Sequence, residues 1–176
     1  LVERVDGGGE VRYLLTDAGR ELRPVVEAIG SWGTRWIGAL GDPDLDPKLL
    51  LWDMHRNVDH ARVPAGRTVV QFDFVDLPGR ARCWWLLITP DEAEVCDLDP
   101  GYPVSVTVQA SLRALVEVWR GDRSWAEALR HGTVDLLGPT ELRRALPRWF
   151  TLSPFAGVPR ARGRGGLGPT ALPTPG

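Results

Sequence analysis

Three histidines, two cysteines and a scatter of carboxylates are the residues of this 176-residue chain that could do chemistry. His55 and His60 stand five apart, which on a helix separates them by about 140°, so one helix cannot present both to a single metal ion. Asp59 follows His55 at the i,i+4 spacing that brings a carboxylate to an imidazole, with Asp53 two residues before that histidine. A surface contact is the ordinary outcome of such a pair. His131 stands alone near the end of a helical pattern, where an imidazole meets the helix dipole favourably. The sequence carries no Gly-x-Ser-x-Gly elbow, paired-cysteine metal motif, phosphate loop or dinucleotide fingerprint. The stretch Gly163-Arg-Gly-Gly-Leu-Gly168 is glycine-rich, but no strand pattern precedes it and no helix pattern follows. The expectation is a chain with no active site, no metal site and no cofactor.

Cys83 and Cys96 fall in two neighbouring strand-like runs. A turn at residues 90–93 would set Thr89 opposite Glu94 and Leu87 opposite Cys96, leaving the cysteines out of register for a disulfide. Reduced thiols in a cytoplasmic protein are the better fit. Hydrophobic residues make up 43% of the chain and charged residues 25%, with a formal net charge of −2. That supports one or two packed cores and no overall basic field. Residues 1–36 hold five arginines (4, 12, 20, 23 and 35) against six acids (3, 6, 10, 17, 21 and 27), so any contact with nucleic acid there is a small one. No apolar run reaches the ~18–20 residues of a membrane helix, and no signal peptide is visible.

The elements that must position these residues follow from patterning. Residues 1–5 and 11–15 are short β-type runs around Asp6-Gly-Gly-Gly-Glu10, a hairpin tip. Thr16 is the N-cap of a long helix whose apolar face is Leu22, Val25, Val26, Ile29, Trp32 and Trp36, with Pro24 expected to kink it or disturb its first turns. Residues 41–47, rich in Asp and Pro, form the boundary between domains 1–40 and 47–156, with 41–46 as linker. Asp46-Pro47 opens a helix to about residue 60. Strands are expected at 68–75, 82–89, 94–98 and 104–110, the first and last with strict alternation. Ser111 caps a helix ended by Gly121. Ser124-Trp-Ala-Glu127 has capping-box spacing and opens a helix that stops at Gly132. A strand at 133–137 and a helix at 140–150 close the domain. Residues 157–176 read as a disordered tail.

Tyr13-Leu-Leu-Thr-Asp-Ala-Gly19, Leu22-x-Pro24 and the Trp32-Gly-x-x-Trp36 pair resemble the HxlR branch of the MarR-like winged helix-turn-helix regulators over about residues 1–36. The resemblance implies that the recognition helix lies upstream of Leu1, that Arg4 and Arg12 of the wing approach DNA phosphates, and that Trp32 and Trp36 belong to a homodimer seam. Asp6 and Glu10 at the same tip oppose a phosphate contact. Packing against the wing and the upstream helices is the plainer reading for Trp32, while for Trp36 packing and the dimer seam stand level.

Trp84-Trp-Leu-Leu-Ile-Thr89, Val104-Ser-Val-Thr-Val108, residues 112–121, and residues 128–132 leading to Val134-Asp-Leu-Leu-Gly138 resemble the sterol carrier protein fold. This implies an α+β domain, a mixed sheet covered by helices, with an apolar ligand or lipid held between them. The cavity walls would then be Phe72, Phe74, Trp85, Leu87, Val106, Leu115, Trp119 and Trp149, residues that a plain hydrophobic core would also use. The resulting expectation is a cytoplasmic, homodimeric DNA-binding regulator, truncated at its N-terminus, with a ligand-sensing or dimerisation domain. The alternative is a stand-alone module that binds or transfers lipids and has no DNA function.

Overall fold

The computed structural model describes residues 1–7, 10–36, 41 and 45–161. The chain divides into two compact units, one formed by Leu1–Ala39 with Val158–Gly176 and the other by Leu40–Gly157.

The first unit opens with an antiparallel hairpin of β1 (Val2–Gly7) and β2 (Glu10–Leu15), registered from Val2 opposite Leu15 to Gly7 opposite Glu10. Gly8 and Gly9 of the expected tip lie outside the described residues. Thr16 caps α1 (Asp17–Glu21), accepting from the Gly19 amide, while its own N–H donates to the Leu1 carbonyl at 3.0 Å. Gly19 is buried beneath that carbonyl; a Cβ there would stand 2.2 Å from Leu1 O. The glycine of the Leu-Thr-x-x-Gly motif is thus a close-approach residue.

One helix is expected to follow, kinked by Pro24 or disturbed by it in its first turns. Instead α1 ends at Leu22 and a separate helix, α2 (Arg23–Trp36), restarts there, with the amides of Val25 and Val26 both donating to Leu22 O. Pro24 sits in the first turn of α2, where its missing N–H costs nothing. Residues 158–161, expected to begin a disordered tail, are tied to the end of α2: Arg160 donates to Thr34 O at 2.7 Å and the Ala161 amide to Arg35 O at 3.0 Å. Residues 162–176, with the glycine-rich stretch, lie outside the described residues, as do 42–44 of the expected linker.

The second unit is α+β. Asp46 caps α3 (Pro47–Arg56) through the amides of Lys48 and Leu49. The helix stops well short of residue 60: Asn57 folds back onto the Asp53 carbonyl, and Val58 leaves to pair with Phe150. Then come β3 (Thr68–Phe74), β4 (Cys83–Ile88), β5 (Ala93–Cys96), β6 (Val106–Ala110), α4 (Leu112–Trp119), α5 (Trp125–Arg130), β7 (Val134–Leu137) and α6 (Thr140–Ala145). A single 3-10 turn at Leu146–Arg148 replaces the rest of the expected last helix, with Pro147 inside it.

The sheet order is β5-β4-β3-β6-β7, antiparallel except for the central β3–β6 pair. One face carries Val70, Phe72, Phe74, Leu86, Ile88, Val106, Val108, Ala110, Val134 and Leu136. These join Leu51 and Met54 of α3 and Leu115, Val118 and Trp119 of α4 in one core. The opposite face carries Gln71, Asp73, Thr107 and Gln109, half-buried and hydrogen-bonded to one another across β3 and β6. The caps expected at Ser111 and Ser124 form, the latter with both arms of its capping box. Gly121 ends the α4 segment at φ +74°, and a Cβ there would meet Ala156 O at 2.5 Å, so conformation and space both demand glycine.

Candidate functional site

In the first unit the hairpin separates the two wing arginines. Arg4 is opposite Tyr13 and Arg12 opposite Val5. Cross-strand partners share a face and neighbours alternate, so Arg4 shares a face with Val2, Asp6, Val11 and Tyr13, and Arg12 with Glu3, Val5 and Leu14. Arg4 also pairs with Asp6, its Nε donating to Oδ1 at 3.2 Å, with both side chains more than half exposed. An exposed pair of this kind contributes at most ~1 kcal/mol, so Arg4 can exchange it for a phosphate.

Trp32 and Trp36 lie on α2 with Val25 and Ile29 at i, i+4, i+7 and i+11, one stripe of the helix. No residue of α2 is buried. Leu22, Val25, Val26, Ile29, Trp32 and Trp36 are between 41% and 64% exposed, a large bare apolar face for so small a unit.

In the second unit, six of the eight cavity candidates converge. Phe72, Phe74, Val106, Leu115, Trp119 and Trp149 are all buried in the one core, with the rings of Phe72 and Phe74 stacked at 6.4 Å. Trp85 and Leu87 do not join them. The β3–β4 register sets Trp85 opposite Gln71 and Leu87 opposite Val69, which places both on the polar face, so the expectation for these two is corrected. The β4–β5 hairpin is also tighter than expected. Ile88 faces Ala93 and Trp85 faces Cys96, with the turn at residues 90–91. Cys83 and Cys96 are both free thiols, and burial, with Glu94 and Asp97 nearby, pushes the Cys96 thiol up.

Trp149 is fully buried, and its Nε1–H finds no hydrogen-bond partner among the described residues; Trp125 Nε1 and His55 Nδ1 are in the same condition. An unmet buried donor costs about 1–3 kcal/mol, which a ligand oxygen or a water would recover. The Asp59–His55 pair does not form: Asp59 accepts from Arg62 at 2.7 Å, and Asp53 from Trp119 Nε1 at 2.7 Å. His60 Nδ1 is 2.9 Å from Thr89 O. No three His, Cys, Asp or Glu side chains are grouped to hold a metal among the described residues. No described helix is long and apolar enough to cross a membrane.

A feature that sequence reasoning missed is a cleft of about 450 Å³ lined by Leu129 of α5, Asp135 and Leu136 of β7, Thr140, Arg143 and Arg144 of α6, and Pro147. Its one visible signal was the Arg143-Arg144 pair, which reads as an ordinary solvated helix face until β7 and α5 are placed beside it.

Residues 3–40 match the HxlR-like helix-turn-helix family, in keeping with the strand-to-helix motif at Thr16–Gly19. No curated protein matches the chain. Among solved structures, a stereoselective inverting sec-alkylsulfatase from a Pseudomonas species is similar in fold over 64% of this chain and 17% of its own, at 18% identity and a TM-score of 0.50. The present chain therefore spans a small part of that protein. Sterol carrier domains are also among the similar structures. Sterol carrier protein domain 2 of Helicoverpa armigera has 19% identity over 63% of this chain and 91% of its own, with a TM-score of 0.43. A ubiquinone synthesis protein, UbiJ-SCP2, has 14% identity over 72% and 89%, also with a TM-score of 0.43.

Proposed function

We propose that this chain is part of a DNA-binding transcriptional regulator of HxlR type, working in the cytoplasm as a homodimer, whose second unit binds an apolar ligand. The match of residues 3–40 to the HxlR-like family carries the reading. The bare stripe of α2 supports the pairing: a second copy laid along Val25, Ile29, Trp32 and Trp36 would remove it from water, and aromatic residues are favoured at such seams. Arg4 and Arg12, on opposite hairpin faces, suit a wing that enters a groove edge-on and meets one phosphate backbone with each face. The ligand's walls would be Phe72, Phe74, Val106, Leu115, Trp119 and Trp149, with the unmet Trp149 indole N–H donating to a ligand oxygen. Ligand shifts DNA affinity only if it prefers one dimer arrangement over another.

The test is selection of bound sequences from a random duplex library by the full-length gene product, including any residues that precede Leu1. Enrichment of a two-fold symmetric site is the expected result, with weaker binding when Arg4 and Arg12 are both changed to Gln. No enrichment at any salt concentration would sink the regulator reading. The second reading, a lipid-binding or transfer module without DNA function, would then stand on the unmet Trp149 donor in the core of the second unit. Native mass spectrometry of the purified protein checks it through a co-purified apolar mass.

A further inference from the structure

We infer that Cys83 and Cys96 form a two-thiolate site for one soft, thiophilic cation of the copper(I) class, on the sheet face of the second unit that is turned away from its core. The inference stands apart from the DNA and apolar-ligand readings and uses none of their residues.

Strand pairing fixes where both thiols stand. Cys83 is opposite Asp73 of β3, and Cys96 is opposite Trp85 of β4. Asp73 and Trp85 belong to the polar face, and cross-strand partners share a face, so both sulfurs are carried there. Both cysteines are half-buried free thiols. Trp85 is two residues on from Cys83, which makes the cysteines diagonal neighbours across β4 and β5. Diagonal pairs have Cα atoms about 7–8 Å apart, with Cβ atoms somewhat closer. A disulfide requires Cα atoms within about 6.8 Å and Cβ atoms about 3.8 Å apart, which these strands do not offer unless the backbone moves. An ion held in line between two thiolates, with metal–sulfur bonds of about 2.3 Å such as zinc makes, sets the sulfurs about 4.6 Å apart. The diagonal suits that span.

Ligand number selects the ion. No three His, Cys, Asp or Glu side chains are grouped for a metal among the described residues, so zinc, which takes three or four protein ligands, is poorly served. Copper(I) is soft, is selected by thiolates, and accepts two of them. Each thiol gives its proton to solvent as its sulfur–copper bond forms. The surroundings favour a cation over those protons at Cys96. Burial, with the carboxylates of Glu94 and Asp97, pushes that thiol up, and a bound cation relieves the same repulsion. Arg82 lies close enough to Cys83 to interact with it, but its guanidinium is engaged by Asp73 at 2.6 and 3.1 Å.

The experiment titrates the reduced full chain, under argon, with copper(I) supplied as its bicinchoninate complex. The expected result is transfer of one ion per chain, loss of both thiols to a thiol-reactive dye, and no change in association state by sedimentation. Cys83→Ser and Cys96→Ser should each abolish transfer from the chelator, while circular dichroism verifies that both variants fold. Zinc(II) at the same concentration should leave both thiols reactive. Failure of the parent chain to take copper(I) overturns the site, as does a single-serine variant that still takes a full ion. An ion shared between chains, seen as a copper-dependent dimer that either variant still forms, overturns it as well. Equal protection of the thiols by zinc(II) overturns the assignment of the ion.

Discussion

The indole N–H of Trp119 donates to the Asp53 carboxylate at 2.7 Å, joining α4 to α3 across 66 positions of sequence. Trp119 is almost wholly buried, so its N–H has no access to water if the carboxylate is removed. Asp53→Ala should therefore destabilise the second unit by about 1–3 kcal/mol, and Asp53→Asn by less. Urea unfolding followed by tryptophan fluorescence measures both, and an unchanged midpoint in Asp53→Ala would refute the assignment.

Gly19 lies under the Leu1 carbonyl with no room for a methyl group. Gly19→Ala should loosen the bond between the Thr16 amide and Leu1 and speed hydrogen exchange along β1. Exchange rates in β4 and β6 of the second unit should not change. Unaltered β1 rates would mean that the close approach does not exist in solution.

Asp73 is the group whose titration should be visible. Its side chain, 14% exposed, accepts from Arg82 at 2.6 and 3.1 Å and from Gln109 at 2.9 Å. The Arg82 hydrogen bonds, helped by Gln109 and opposed by burial, hold its carboxyl below the usual value. A lowered folded-state pKa stabilises the protein above the ordinary carboxylate range, and that stability is lost as pH falls through the folded value. Thermal midpoints should drop as the pH falls out of the ordinary carboxylate range and through the lowered folded value. Asp73→Asn should be less stable at neutral pH and show a shallower acid slope. A parallel slope would assign the acid sensitivity elsewhere.

Trp32→Ala with Trp36→Ala should weaken self-association by tenfold or more, as loss of buried aromatic anchors does. Unfolding of the second unit should not move. Sedimentation equilibrium decides: a monomeric parent, or a double variant that associates as tightly as the parent, removes these residues from the seam.

The second unit was readable where alternation was strict. Val70, Phe72 and Phe74, like Val106, Val108 and Ala110, stand against polar neighbours, and those faces follow directly from the period of two. Cys83-Trp-Trp-Leu-Leu-Ile88 has no polar residue to mark a side, so Trp85 and Leu87 were as plausible inward as Trp84 and Leu86. Only pairing with β3 decides. The hairpin register failed for a related reason, because residues 89–93 offer several turns and the choice rests on which face of β5 meets the core. The helix ends near Asn57 and Pro147 are not marked in the sequence, because contacts distant along the chain, such as Val58 with Phe150, take the backbone away there. The cleft was illegible because its residues come from three elements with no shared period.

The two central strands explain how the second unit must assemble. Val70 to Phe74 of β3 pair in parallel with Val106 to Ala110 of β6, always 36 residues on. The same offset recurs in Ser105 Oγ to the Val69 amide, Gln71 to Thr107, Asp73 to Gln109 and the Leu112 amide to Asp76. One loop closure therefore serves every contact in this seam, because closing entropy depends on the length enclosed and only weakly on how many bonds then form. The β4–β5 hairpin lies inside that loop and can form first. Its formation shortens the free chain that must be spanned. Docking of β6 onto β3 is then expected to be the slow step of folding, with β7, which pairs only with β6 in the sheet, joining after it.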